Sequence, residues 1–190
     1  MTGLEQRLLG VAEAVARIPK DHRHAAVAII LREGEVLLMQ RAEREGDPWS
    51  GQVSLPGGHA EAADGSLTDT ALRETLEEVG ADLSSSRLLG ALEPVRARVR
   101  GVPIDTTILP VVFEVEGEVE LALGPEAQAA FWFPLERAAL GELDSTFSYP
   151  KGEVVMKLPC WEFEGQVVWG LTLGILSALT PLDPRSTPDT

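Results

Sequence analysis

Apolar positions recur at helical spacing near the start of the chain, where Leu4, Leu8, Leu9, Val11, Ala12, Val15 and Ile18 predict an N-terminal helix over about 4–18. Pro19 ends it. From Ala25 to Leu31 the apolar run is unbroken and rich in β-branched residues, which predicts a buried strand. Arg32-Glu33-Gly34 reads as a turn and Glu35 to Gln40 as the returning strand of a hairpin. Residues 42–52 are polar, with Gly46, Pro48 and Gly51, and form a loop. Val53-Ser54-Leu55 is a short strand that runs into Pro56-Gly57-Gly58.

Residues 59–66 read as a loop. The helical pattern then returns, with Ser66 as a capping residue, a helix over 67–79 and Gly80 as its stop. Leu67, Ala71, Leu72, Leu76 and Val79 would pin this helix to a sheet. Strands are expected near 87–93, 95–100, 104–116, at Phe131-Trp132-Phe133, and at 154–158 and 166–168. Short helices are expected from Pro134 and over 170–179. This mixed order of strands and a few helices predicts an α+β or three-layer α/β/α fold. With no repeat and no linker, residues 1–180 form one domain, and the proline-rich residues 181–190 a flexible tail.

Charge narrows the function. The formal net charge is −14, so a basic footprint for nucleic acid or an anionic membrane is absent. A small anionic substrate would need a local cation to dock. One cysteine, Cys160, excludes an intrachain disulfide and reads as a small buried hydrophobe. No apolar stretch is long enough to span a bilayer and no secretory signal is evident, so a cytoplasmic location is expected.

The chemistry concentrates in the helix over 67–79. Glu74, Glu77 and Glu78 stand at i, i+3 and i+4 and share a face. Three like charges there destabilise a bare helix, whereas a hard divalent cation such as Mg²⁺ or Mn²⁺ prefers such oxygen ligands. Metal ions can neutralise a phosphoanhydride and lower the pKa of a bound water, and a spare carboxylate can take the proton. Arg73 lies beside Glu74 and four residues before Glu77, placed to orient a glutamate or meet a phosphate oxygen. Gly57 and Gly58 let the loop fold back near the helix.

Gly58, Arg73, Glu74, Glu77, Glu78 and Gly80 together resemble the Nudix box: Gly, five residues, Glu, seven residues, then Arg-Glu-x-x-Glu-Glu-x-Gly. That resemblance implies a Nudix-type α/β/α sandwich with a mixed central sheet. It also implies hydrolysis of nucleoside diphosphates linked to another group, with Mg²⁺ or Mn²⁺ held by Glu74, Glu77, Glu78 and Gly58, and it allows a homodimer. The spacing from Gly58 to Arg73 is fifteen positions, one more than the ordinary pattern. The longer loop, with Asp64, Ser66 and then Thr70-Ala71-Leu72-Arg73-Glu74, resembles the coenzyme A pyrophosphatase branch. Gly51 to Gly58 and Trp169-Gly170-Leu171-Thr172 resemble it too. The upstream segment departs from that branch, with Ala42 after Arg41 and Leu55 in place of Phe. The resemblance implies cleavage of coenzyme A or a derivative to 3′,5′-ADP and 4′-phosphopantetheine. ADP-ribose, NADH or another nucleoside diphosphate derivative is the alternative substrate, and a nucleotide sensor without turnover is the alternative of another class.

Further candidates surround this core. Arg41, Arg44, Gly57, Gly58 and His59 are candidate substrate contacts. Arg96, Arg98 and Arg100 alternate along a strand, and Arg98 is the candidate for a 3′-phosphate. Trp49 and Phe147-Ser148-Tyr149 are set between stacking on adenine and plain packing, whereas Trp132, Phe133, Trp161, Phe163 and Trp169 read as core. Glu61 and Asp64 read as structural residues before the helix. The 118–126 segment is an alternative source of a general base.

Overall fold

The apolar run at 25–31 becomes β1 (Arg23–Arg32), and β2 (Glu35–Arg41) returns beside it. The turn between them places Glu33 and Gly34 at φ 48° and 84°, the left-handed pair that a two-residue hairpin requires. The chain is described by a computed structural model over residues 4–46, 49–99, 101–151 and 154–180. The tail expected at 181–190 and the strand position Arg100 lie outside the described residues.

β3 (Val53–Ser54) pairs with β2, and β4 (Gly57–His59) pairs with β1. The predicted helix forms as α2 (Leu67–Val79), after a broken N-terminal segment whose helical part is α1 (Val11–Ala16). Then come β5 (Arg87–Ala91), β6 (Val95–Val99), β7 (Val102–Glu114) and β8 (Ala127–Phe133). α3 (Leu135–Ala139), β9 (Asp144–Lys151), β10 (Val154–Phe163), β11 (Gln166–Trp169) and α4 (Gly170–Ser177) complete the order.

Among the described residues the strands form an eight-stranded mixed sheet along β3-β2-β1-β7-β5, and a three-stranded sheet β11-β10-β9. β1 and β7 run parallel from Arg23↔Thr106 to Leu31↔Glu114, which makes β1 central and buried on both faces. On one face Ala26, Ala28, Ile30, Leu37 and Met39 pack under Ala71 and Val79 of α2. On the other, Ile29, Leu38 and Val112 pack with Phe133, Trp161, Ile175 and Leu176. The α+β class with a mixed central sheet and helices is therefore the observed one. Thr172 ties α4 to the sheet edge by donating to the Val53 carbonyl at 3.2 Å, worth about 1 kcal/mol.

The expectation of one helix over 4–18 is corrected. Glu5–Arg7 is a single 3-10 turn, and Leu9 exchanges backbone hydrogen bonds with Ala91 before α1 begins. A residue pairing with a strand must be extended, so the helical period of the apolar positions did not make one helix there. β9 is a second correction: Phe147, Ser148 and Tyr149 lie within a strand that pairs with β10. Leu76 is a third, 55% exposed, while Thr75 takes the buried position and donates to the Ala71 carbonyl.

The ends of α2 follow the sequence. Ser66 Oγ accepts from the Asp69 N–H, and Gly80 turns left-handed at φ 70°. The loop before α2 is clamped to it. Arg73 forks onto Asp64, Nε to Oδ1 at 2.9 Å and Nη2 to Oδ2 at 3.0 Å, and Nη2 also donates to the His59 carbonyl. Thr70 Oγ1 and the Glu61 N–H donate to the same carboxylate. These donors, Arg73 first and Glu61 next, hold the Asp64 carboxyl well below the usual carboxylate range.

A depressed folded pKa means that Asp64 stabilises the fold fully above its ordinary pKa, and that this contribution is lost as pH falls through the folded value. Asp64→Asn is expected to lower the thermal unfolding midpoint at neutral pH. The gap to wild type should then narrow as both are taken from about pH 5 to about pH 2. A gap that stays constant over that range in calorimetry would show that the charge of Asp64 contributes nothing.

Candidate active site

Gly57 sits where a side chain cannot, and Gly58 lies directly against the Glu74 carboxylate. A Cβ on Gly57, at φ 150°, would stand 2.3 Å from the Ala26 carbonyl oxygen. A Cβ on Gly58 would stand 2.5 Å from Glu74 Oε1. β4 is thereby threaded between β1 and the glutamate face of α2, and its backbone reaches the carboxylates. The Gly57 N–H donates to Glu78 Oε2 at 2.8 Å.

The three glutamates share a face but not an environment. Glu78 is 3% exposed. The Glu74 side chain is 17% exposed and that of Glu77 59%. Burial pushes the Glu78 carboxyl up to about 7, against the Gly57 N–H and Arg41, which favour the charged form. Arg41 Nη1 stands 3.8 Å from Glu78 Oε1, too far for a hydrogen bond, so desolvation wins. Burial also raises Glu74, partly offset by Arg73. Glu126 adds negative potential at both carboxyls.

Arg73 Nη1 lies between two of these carboxylates, 2.9 Å from Glu74 Oε1 and 3.1 Å from Glu77 Oε2. Its other nitrogens are committed to Asp64 and His59. Of the two uses open to Arg73 in the sequence, orienting glutamates is the one the geometry displays. Asp64, read from the sequence as structural, is the residue that fixes Arg73. The signal for it was an acidic residue in the position that follows the five-residue gap after Gly58, with Arg73 coming one position late.

Glu126 was within the segment singled out for a general base. It arrives because the chain after β7 docks on the end of α2. The Gly124 N–H donates to the Glu78 carbonyl at 2.9 Å, and a Cβ on Gly124 would meet the Glu77 carbonyl oxygen at 2.0 Å. Arg44, from the loop before the box, pairs with Glu126 at 3.3 Å. Arg41 and Arg44 thus both reach the carboxylate group. His59 contributes its carbonyl to Arg73 while its side chain is exposed.

Arg98 stands apart. It donates to the Gly101 carbonyl of its own hairpin, and the ladder shifts register between Arg96 and Arg98. Arg96 is turned to Asp105 and the Ile104 carbonyl. Arg96 and Arg98 do share an exposed face, with Ala97 buried between them, but among the described residues no contact joins Arg98 to the glutamates.

Among the described residues, no three Asp, Glu, His or Cys side chains are drawn tightly enough to enclose a metal ion as they stand. The donors nevertheless suit a hard dication. The side-chain donors are carboxylate oxygens, and the two most buried, on Glu74 and Glu78, carry raised pKa values because burial strips them of water.

A family model described as the NUDIX domain matches residues 21–154. The Nudix hydrolase NudL of Shigella flexneri serotype 5b is 33% identical over 169 residues, which cover 87% of this chain and 85% of that protein. NudL of Yersinia enterocolitica is 32% identical, covering 84% and 80%. Among solved structures, a MutT/nudix family protein from Enterococcus faecalis superposes with a TM-score of 0.54 at 20% identity, covering 93% of this chain and 70% of that one. An Ap4A hydrolase from C. elegans gives 0.50 at 22% identity, covering 62% and 84%. At such identities the structural likeness speaks for the fold alone. By the family model and by identity to relatives matched over most of their length, the chain belongs to the Nudix family.

Proposed function

We propose that this chain hydrolyses the phosphoanhydride of coenzyme A, or of a close derivative, to 3′,5′-ADP and 4′-phosphopantetheine. The coarser class follows from the family: a Nudix hydrolase acting on phosphoanhydride bonds. The observation that carries the reading is the buried Glu78 carboxylate held against the Gly57 N–H, on the same helical face as Glu74 and Glu77. The coenzyme A branch is supported by the fifteen-position spacing from Gly58 to Arg73, whose additional residue lies in the loop that Asp64 clamps. It is supported too by the Trp169-Gly170-Leu171-Thr172 segment, which is bonded to Val53 just upstream of the glycines.

Glu74, Glu77, Glu78 and the main chain at Gly58 are the residues that would hold Mg²⁺ or Mn²⁺. Such an ion, when bound, supplies charge neutralisation and a more acidic water. Arg73, fixed by Asp64, orients Glu74 and Glu77 and is a positioning residue. Arg41 and Arg44 offer cations for the substrate's phosphates on an otherwise acidic chain. A carboxylate of this cluster, with Glu126 as the member from the later segment, accepts the proton as water attacks phosphorus. ADP-ribose or NADH is the second reading, favoured by Ala42 and Leu55 where the coenzyme A branch has other residues. A sensor without turnover has no need of all three glutamates.

Coenzyme A, ADP-ribose and NADH compared at matched concentrations with Mn²⁺ should give the highest kcat/KM for coenzyme A. A preference for either of the others removes the coenzyme A assignment and leaves the hydrolysis. Glu78→Gln keeps an acceptor for the Gly57 N–H, so the fold should persist while kcat drops by about 100-fold or more. An unchanged rate in steady-state assays would mean that the glutamate face takes no part in turnover. EDTA should abolish activity and added Mg²⁺ or Mn²⁺ restore it; turnover that survives chelation would rule out the metal.

A further inference from the structure

A second cavity, of about 380 Å³, opens between the edge of the main sheet and the three-stranded sheet. Gln40, Gln52 and Val53 line one side of it, and Phe147, Tyr149 and Trp169 the other. The three rings form one cluster. Trp169 lies 5.1 Å from Tyr149 and 5.2 Å from Phe147 between centroids, with the planes tilted by 40° and 38°. All three residues are only half-buried. The other aromatic cluster behaves as core should: Phe133 is fully buried and Trp161 is 6% exposed, and the two stack.

The lining has a second property. None of the described residues that line this cavity is charged, on a chain with a formal net charge of −14. Phosphates and cations find no counter-charge there. A flat, neutral heterocycle finds aromatic faces to stack on, and amides at Gln40, Gln52 and Gln166 that both donate and accept hydrogen bonds.

The position also fits. β3 pairs with β2 on the same edge that β1 uses, opposite β8, and leads directly into the glycines of β4, which pairs with β1. Val53 lines the cavity and lies four residues before Gly57, a span of at most about 13 Å of extended chain. A ribose and a phosphate are the groups that would bridge such a span between a base and a phosphoanhydride.

We propose that this cavity binds the nucleobase of the substrate's nucleoside diphosphate half, stacked against Tyr149 and Trp169 with Gln166 at its edge. The proposal rests on the hydrolysis reading above for its substrate class, but its test needs no turnover. AMP would be titrated into the full chain in the presence of EDTA, followed by calorimetry and tryptophan fluorescence.

Wild type and Glu78→Gln should bind AMP alike. Tyr149→Leu and Phe147→Leu should each weaken binding by about tenfold, the scale of losing one base–aromatic stack, with an unchanged unfolding midpoint. Tyr149→Phe should retain it. Equal AMP affinity in wild type and Tyr149→Leu would overturn the proposal. So would a loss of affinity in that variant for 4′-phosphopantetheine and not for AMP, which would make the cavity a site for the pantetheine arm. If AMP binds as expected while no nucleoside diphosphate derivative is turned over, the base site stands and the hydrolysis reading alone fails.

Discussion

β4 passes between β1 and the glutamate face of α2 at a separation that admits only backbone. Gly57 is pressed onto the Ala26 carbonyl and Gly58 onto the Glu74 carboxylate, and either would collide through a Cβ. This closeness brings the Gly57 N–H to Glu78. It also buries Glu78 deeply enough that desolvation outweighs its two favourable partners. A side chain at Gly57 would push β4 off β1, and one at Gly58 would displace the Glu74 carboxylate. The reactive face thus depends on bare backbone at these two positions.

The distribution of charge follows from that packing. A chain with a formal net charge of −14 gathers Glu74, Glu77, Glu78 and Glu126 into one region, where burial, with a smaller addition from the neighbouring carboxylates, raises the proton affinity of Glu74 and Glu78. Arg41 and Arg44 are turned to this region, and Arg73 is tied by five contacts across Asp64, His59, Glu74 and Glu77. Arg73 therefore acts as a bracket and has little left to offer a ligand. A divalent cation has the charge and the hardness that these carboxylates lack as neighbours.

Much of this was legible in the sequence because it is local. Ser66 and Gly80 bound α2 through a side-chain cap and a left-handed turn, both properties of single residues. The i, i+3, i+4 spacing fixed which glutamates share a face, and the apolar run at 25–31 gave the central strand. What was not legible depends on partners distant in the chain. Leu9 follows a helical pattern but is claimed by Ala91, eighty-two positions later. Leu76 belongs to the apolar pattern of α2, yet it is exposed, and Thr75 takes the buried position beside it. The alternation of Arg96 and Arg98 holds in the strand, yet both side chains turn to partners in their own hairpin, which spacing alone does not reveal. The unequal burial of Glu74, Glu77 and Glu78 likewise required knowing where β4 lies.

Trp169 shows how the two kinds of information combine. In sequence it resembled a core residue opening the closing helix, and that is half correct, since Thr172 of the same helix is bonded into the sheet edge at Val53. That bond fixes α4, and hence the end of β11, against β3. Phe147 and Tyr149 reach Trp169 only because β9, unrecognised from sequence, lies across β10 from β11. The strand that leads into the glycines therefore also lines the aromatic cavity, through Val53. A ligand that occupied both the proposed base site and the glutamate face would pass the short segment from Val53 to Gly57. Under the proposed function, the neutral aromatic surface would select the base while the acidic helix would meet the phosphates and the metal.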